Sequence, residues 1–410
     1  MEVHKFGGSV IKNAEQIRLI RTIISKLRRP AVLVVSALFD VTNMLERIYR
    51  FLQEERYEKA TSEINKVIEK HITIAEHLNI ETNRIYEILY PLTIQEKDLS
   101  YAEVVSLGEK LSSYLIYEFL RREGFENIKY VPAQSFMITS SHQFGAIPKL
   151  EKISKLFTPP DENELILTEG FIGADEKGNP TTLGREGSDF TATIIASILN
   201  SKRVTLWKNV SGIYNADPAE FKGARIFENI NVNEAIEMTF FGARVLHPRT
   251  FTPLENKNAK LIIKSPFSEK YTTVSEEPTQ PFQPIFILHK NVRLISCYLK
   301  YPDLMDAVDY ARIYQLSAEH KVPIKLLQKG ARSLSLVVPE NIPTLDEFML
   351  HLSENYNVRF NDNLFLLTIR HLRQNITELL KGEIILSEIT RQTQHYLMTE
   401  WQPIDISALS

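Results

Sequence analysis

The sequence predicts an α/β protein: an αβα sandwich on a mainly parallel sheet, followed by a C-terminal α+β region. Three observations carry this reading. Short β-branched runs alternate with helical patterns through roughly the first two thirds of the 410 residues. Thirteen of the fifteen glycines lie at or before Gly242, many in the loops that follow those runs, so the chain changes character late. After about residue 280 the pattern becomes strand, helix, two strands, helix, strand, in βαββαβ order.

Each element has its own local reason. Residues 3–6 read as a strand ending at Gly7-Gly8-Ser9, and Asn13 with Gln16 three residues on opens a helix with Ile17, Ile20, Ile24 and Leu27 on one face. Residues 31–35, all apolar and mostly β-branched, read as a buried strand. Residues 43–97 are charge-laced and helical, expected as a flap or edge with a solvated face. A helix over 102–123 should stop at Gly124, which suits a left-handed cap, and it carries Ser106-Leu107-Gly108-Glu109 in mid-run. Further strands are expected at 130–131, 165–168, 204–207 and 261–263, with helices near 189–200 and 233–241. In the last part, strands are expected at 292–299, 324–327, 334–338 and 364–369, and helices at 304–320 and 345–356. Pro278, Pro281 and Pro284 mark a linker, which divides the chain into residues 1–279 and 280–410.

Charge and composition narrow the partners. The 48 Lys+Arg against 51 Asp+Glu give a formal charge of -3, so no global basic field draws nucleic acid or an anionic membrane, and a small molecule is favoured. The longest apolar run, residues 31–38, is far below the ~20 needed to span a bilayer, and the start has no signal-peptide profile, so a cytoplasmic protein is expected. The lone Cys297 fits a reducing compartment and reads as buried filler. No two glycines are separated by two positions, as G-x-G requires, and no glycine pair with P-loop spacing precedes a lysine, so two common nucleotide-binding loops are absent. With no H-E-x-x-H and one cysteine, any metal should be oxygen-ligated.

Four segments carry chemistry. In Lys5-Phe6-Gly7-Gly8-Ser9 a strand ends in two residues without side chains beside a lysine, a setting in which N–H groups and an ammonium can cradle phosphate. In residues 181–189, Arg185 can grip a carboxylate, Ser188 is placed as a helix cap and Asp189 falls in the first turn. Residues 207–218 form a strand end and long polar loop able to hold a base and ribose, and residues 241–248 end a helix with a cation that could reach phosphates. Alone, each segment is also an ordinary turn or cap.

Together, in order across roughly residues 1–275, these segments resemble the aspartate kinase family of the amino acid kinase superfamily. Family patterns of the type K-F-G-G-[T]-S-V, V-S-A-x-x-x-x-T-[ND]-x-L, S-x-G-E-x-L-S, T-x-G-F-I-G, T-T-L-G-R-G-G-S-D, D-V-x-G-[VI]-Y-x-x-D-P and F-G-A-[KR]-V-L-H-P appear at 5–10, 36–45, 106–112, 168–173, 181–189, 209–218 and 241–248. The resemblance implies the amino acid kinase fold, a C-terminal pair of ferredoxin-like ACT modules, and MgATP-dependent phosphorylation of the aspartate side chain at the head of lysine, threonine and methionine synthesis. It implies catalytic roles for Lys5, Gly7, Gly8 and Asp189, and places Ser36, Thr42, Glu109, Arg185 and Ser188 around the amino acid, with Glu109 on its ammonium and Arg185 on its α-carboxylate. Lys5, Gly7, Gly8, Ser9, Lys208, Asn209, Tyr214, Asp217, Arg244 and Lys264 would surround ATP, with Mg²⁺ held mainly through the nucleotide phosphates and no dedicated metal ligands. An amino-acid effector at the ACT-like modules and a homodimer or homotetramer are implied as partners.

The chemistry agrees. A carboxylate acceptor is ionised at neutral pH and needs no general base, so the task is to bring two anions in line and spread charge onto cations and N–H donors. An anionic Glu109 would favour a free amino acid over an acceptor lacking the ammonium. The chain departs from the family pattern at Glu186 (usually Gly), Lys208-Asn209 (commonly Thr-Asp), Asp40 (often Gly or Lys) and Ser140 (typically Asp), and the ACT segments at 306–308 and 328–331 are altered. Two alternatives therefore stay open: a chain that senses amino acid or nucleotide with little or no turnover, and a kinase with another carboxylate acceptor.

Overall fold

The computed structural model describes all residues except 95–98, 244–245, 278–282 and 410; Arg244, Pro278 and Pro281 thus lie outside the described residues. The chain divides into two compact units. The first comprises Met1–Ile213, Ile226–Asn233 and Leu246–Pro278, and the second Tyr214–Arg225, Glu234–Val245 and Thr279–Ser410.

In the first unit the strands are β1 (Glu2–Phe6), β2 (Ala31–Val35), β3 (Ile128–Tyr130), β4 (Leu165–Glu169), β5 (Ile172–Ala174), β6 (Pro180–Thr182) and β7 (Arg203–Trp207); β8 (Phe221–Lys222) belongs to the second unit, and β9 (Asn229–Asn231), β10 (Lys260–Lys264) and β11 (Tyr271–Ser275) return to the first. Eight of them form one sheet in the order β3-β4-β2-β1-β7-β10-β11-β9, and every pairing is parallel except β10 with β11. The central strands β2 and β4 are buried at every residue, as a sheet covered on both faces requires. Its helices are α1 (Ala14–Ile24), α2 (Val41–Gln53), α3 (Tyr57–His77), α4 (Asn83–Thr93), α5 (Tyr101–Arg122), α6 (Leu150–Leu156) and α7 (Gly187–Ile198).

Asn13 caps α1 by accepting the Gln16 N–H, and Gly124 follows α5 at φ 85, both as the sequence indicates. The expected solvated flap is different. Along α3, Ala60, Ile64, Val67, His71, Ile74 and Ala75 recur at helical spacing and are buried, with Glu63 among them, its carboxylate paired to Arg47 and Lys66. Charged residues thus disguise a packed face. The mid-helix Gly108 also has a packing reason: a Cβ there would stand 2.9 Å from the Cβ of Ala37 in the loop after β2.

The second unit holds α8 (Val232–Phe240) from Glu234 onward, β12 (Ile285–Leu299), α9 (Ala307–Glu319), β13 (Leu326–Lys329), β14 (Ser333–Pro339), α10 (Leu345–Asn355), β15 (Tyr356–Arg370), β16 (Ile384–Ile389), β17 (Thr393–Met398) and β18 (Ile404–Asp405). Its antiparallel sheet runs β13-β14-β12-β15-β17-β16, with β12 and β15 paired along nearly their whole length. The first half gives the βαββαβ order, around a core of Ile295, Cys297, Leu336, Phe348 and Leu352. Cys297 is fully buried, which pushes its thiol up to about 12, so it is inert filler. Beyond Arg370 the described chain supplies strands and 3-10 turns but no α-helix; there α8 packs instead, with the Arg370 guanidinium donating to Glu234 at 3.2 Å and Glu237 at 3.0 Å. Among the described residues no helix is long and apolar enough to cross a membrane.

Candidate active site

Parallel strands β1, β2, β4, β7 and β10 bring their carboxyl ends to one edge of the sheet, where ligands bind in open α/β folds, and the loops leaving them carry most of the expected residues. After β1, the Gly7 N–H donates to the Trp207 carbonyl at 3.1 Å, prolonging the pairing with β7. That amide is therefore taken up by the sheet; Gly8 and Ser9 head the short turn Gly8–Val10, so theirs are the amides at its open start. A Cβ at Gly7 would press to 3.3 Å from the Trp207 carbonyl oxygen and come into ordinary contact with the Lys5 Nζ at 3.4 Å. At Gly8 a Cβ would sit 2.6 Å from the Ala37 carbonyl oxygen, so the loops after β1 and β2 touch.

Asp189, in the first turn of α7 and buried, binds one ammonium on each oxygen: Lys5 at 2.6 Å from Oδ1 and Lys208, just past β7, at 2.8 Å from Oδ2. Burial opposes its charge, but Lys208 and Lys5 outweigh that and hold the carboxyl below its usual range. Lys208 is likewise kept above its usual value, burial being outweighed by Asp189 and Glu186. Ser188 is not the cap of α7. The helix starts at Gly187, and the cap position is Glu186, left-handed at φ 51, whose side chain accepts the His247 N–H at 2.8 Å instead of bonding its own helix.

On the acceptor side, the Ser36 N–H donates to the Phe6 carbonyl at 3.2 Å, and the Ser36 carbonyl accepts the Ser112 hydroxyl at 2.7 Å. One oxygen of Glu109 accepts the Ala37 N–H at 3.1 Å; the other is buried with no hydrogen-bond partner among the described residues. Burial pushes this carboxyl up to about 8. Thr42 lies half-buried in the first turn of α2, and Arg185 is exposed with no ion pair among the described residues. Lys264 ends β10 with its ammonium over the rings of Trp207 (5.8 Å) and Tyr271 (5.6 Å), and Asn209 is exposed.

The structure therefore gathers Lys5, Gly7, Gly8, Asp189 and Lys208, with Lys264 joined through Trp207 and Glu109 through the Gly8–Ala37 contact. Tyr214 and Asp217 belong to the second unit, where Asp217 shapes the turn into β8 by accepting the Ala219 N–H at 2.9 Å. Sequence reasoning missed the Glu186–Lys208 ion pair (3.8 Å) and the Trp207 carbonyl. A signal for the pair existed, since the two departures from the family pattern nearest Asp189 carry opposite charges.

The chain is 29% identical over 356 residues to lysine-sensitive aspartokinase 3 of Escherichia coli (strain K12), covering 82% of this chain and 78% of that protein. It is 31% identical over 272 residues to the aspartokinase of Chlamydia trachomatis, covering 65% and 62%. It is 32% identical over 289 residues to a chloroplastic bifunctional aspartokinase/homoserine dehydrogenase 2 of Arabidopsis thaliana, covering 65% of this chain but only 31% of that protein, so it spans under a third of such bifunctional relatives. In fold it is similar to E. coli aspartokinase III in complex with aspartate and ADP (TM-score 0.80, 24% identity, 97% and 96% of the two chains) and to Clostridium acetobutylicum aspartate kinase (TM-score 0.76, 18% identity, 97% and 96%). With residues 1–265 matching the family model as well, the chain belongs to the amino acid kinase family.

Proposed function

We propose that this chain is an aspartate kinase, moving the γ-phosphoryl group of MgATP to the side-chain carboxylate of L-aspartate to form 4-phospho-L-aspartate, the entry to lysine, threonine and methionine. One observation carries the reading: a Lys5–Asp189–Lys208 cluster built on a buried carboxylate is one loop contact away from a buried Glu109 oxygen that has no hydrogen-bond partner among the described residues. The cluster suits phosphates, and the orphaned oxygen suits an ammonium. The names of the relatives support it.

In this reading Glu109 takes the substrate ammonium, the exposed Arg185 its α-carboxylate, and Ser36, Thr42 and Ser188 line the space between. Gly8 and Ser9 amides, Lys5 and Lys208 face the phosphates, and Lys264 on the Trp207 ring, with Asn209, serves the nucleoside side. Tyr214, Asp217 and Arg244 are proposed for the nucleotide as well. In the same reading Mg²⁺ would enter on the nucleotide phosphates, where it would neutralise developing charge. The acceptor oxygen attacks phosphorus as the β,γ-bridging P–O bond breaks, and the electron pair leaves with ADP. Asp189 holds two ammonium groups ready, so the protein has no charge to reorganise at that moment.

Catalysis is assigned to residues 1–279, and regulation by an amino-acid effector and self-association as a homodimer or homotetramer to residues 280–410, in the cytoplasm. Hydroxylamine trapping tests the reaction: wild-type chain with MgATP and L-aspartate should yield aspartyl hydroxamate and ADP in equal amounts, and absence of both would defeat the reading.

A further inference from the structure

We propose that Glu186 is a positioning residue that acts through Lys208, and that Lys208 is a second cation for the migrating phosphoryl group. The inference rests on the kinase reading and assigns a role to a residue that reading leaves unused. Lys5 and Lys208 each occupy one oxygen of Asp189, so a single carboxylate faces two ammonium groups, one buried and one half-buried. Glu186 supplies the missing anion, 3.8 Å from Lys208, and the four groups together are neutral.

Glu186 is itself well fixed. The oxygen nearest Lys208 accepts the His247 N–H at 2.8 Å, and the backbone stands left-handed at φ 51 ahead of α7. A side chain at a cap position ordinarily bonds its own helix, yet this one makes no such bond. Its contacts are spent on Lys208 and His247. At 3.8 Å the pair is an ionic contact and not a hydrogen bond, so Lys208 keeps a donor free. The Asp189 side chain is 2% exposed, Lys208 17% and Glu186 38%, which orders the three from the interior to the open edge where phosphates arrive.

The sequence pattern points the same way. The chain has glutamate where the family pattern has glycine and lysine where it commonly has threonine, and the fold brings these two departures into one ion pair. Lysine alone would leave an excess cation; glutamate alone would set an uncompensated anion beside phosphate.

A double-mutant cycle on the full-length chain tests this, with E186Q, K208M and the double variant assayed for kcat and KM with MgATP and aspartate. E186Q keeps an oxygen for His247 and removes only the charge. K208M should lower kcat by about 10²-fold. E186Q should lower kcat about tenfold when Lys208 is present and not at all in the K208M background, a coupling of the size neighbouring charges show. An equal loss in both backgrounds, or no loss from E186Q, overturns the proposal, because a structural role through His247 would not depend on Lys208. A wild-type chain without turnover would instead sink the kinase reading. Calorimetry then decides: the affinity gain of MgAMP-PNP over MgADP should fall in K208M and respond to E186Q only with Lys208 present, and an unchanged gain overturns the proposal.

Discussion

The Glu109 carboxylate accepts the Ala37 N–H at 3.1 Å through one oxygen and holds the other buried with no hydrogen-bond partner among the described residues. A polar atom so placed costs stability unless something fills it, which marks a position reserved for a ligand group. Because burial pushes the carboxyl up to about 8, Glu109 is largely protonated at neutral pH in the free chain. An arriving ammonium favours the ionised form.

Aspartate binding at pH 7 should therefore release up to one proton, and its affinity should rise with pH until about 8 and then level. Calorimetry in buffers of differing ionisation heat reads the proton directly. E109Q should abolish the release and weaken aspartate by roughly 10²-fold, with little change for MgADP.

The same group gives a stability prediction of opposite sense to a salt-bridged carboxylate. Its folded value, about 8, lies above the ordinary 4.5 of a free glutamate, so the native state holds a proton that the unfolded state has lost between those limits. Stability attributable to Glu109 is present below pH 4.5 and declines as pH rises to about 8. Thermal melts should show E109Q several degrees more stable than wild type at pH 8.5, with the gap closing near pH 5.

Lys5 and Asp189 should separate in their effects on folding. K5A leaves Asp189 paired to Lys208, so it should lower kcat by about 10²–10³-fold while melting close to wild type. D189A strips the buried Lys5 and the half-buried Lys208 of their shared anion and should cost about 3–5 kcal/mol. Denaturant unfolding distinguishes the two.

Two glycines offer a paired control. G8A would drive a methyl to 2.6 Å from the Ala37 carbonyl, disturbing the phosphate and acceptor loops together, and should cut kcat/KM by about 10²-fold for both substrates. G124A meets no neighbour and opposes only φ 85, so it should cost about 1 kcal/mol of stability and leave steady-state kinetics unchanged.

Much of this architecture was legible because strong local signals agreed with the final packing. Residues 31–35 are apolar and mainly β-branched, and they form a strand with those bounds at the middle of the sheet. The polar strands Asn229–Asn231 and Tyr271–Ser275 escaped notice because they carry no apolar run and are held by sheet pairing. Along α3 the charges of Glu63, Lys66 and Lys70 hid a buried face, since pairing, not polarity, decides what can be enclosed. In the site, Lys5 and Asp189 stood out through motifs, but sequence could not show that Trp207 takes the Gly7 amide or that Glu186 faces Lys208, because both contacts join segments far apart in the chain.

The most direct measurement is a phosphoryl-transfer assay on the 410-residue chain with MgATP and L-aspartate labelled with ¹⁸O in its side-chain carboxylate, the acyl phosphate being trapped by hydroxylamine, which attacks the carbonyl carbon and breaks the C–O bond, and the released phosphate analysed by mass. Transfer to the side chain carries one ¹⁸O into the recovered phosphate, in step with ADP formation, in wild type and not in K5A. ADP released with unlabelled phosphate, or label transfer undiminished in K5A, would contradict the account.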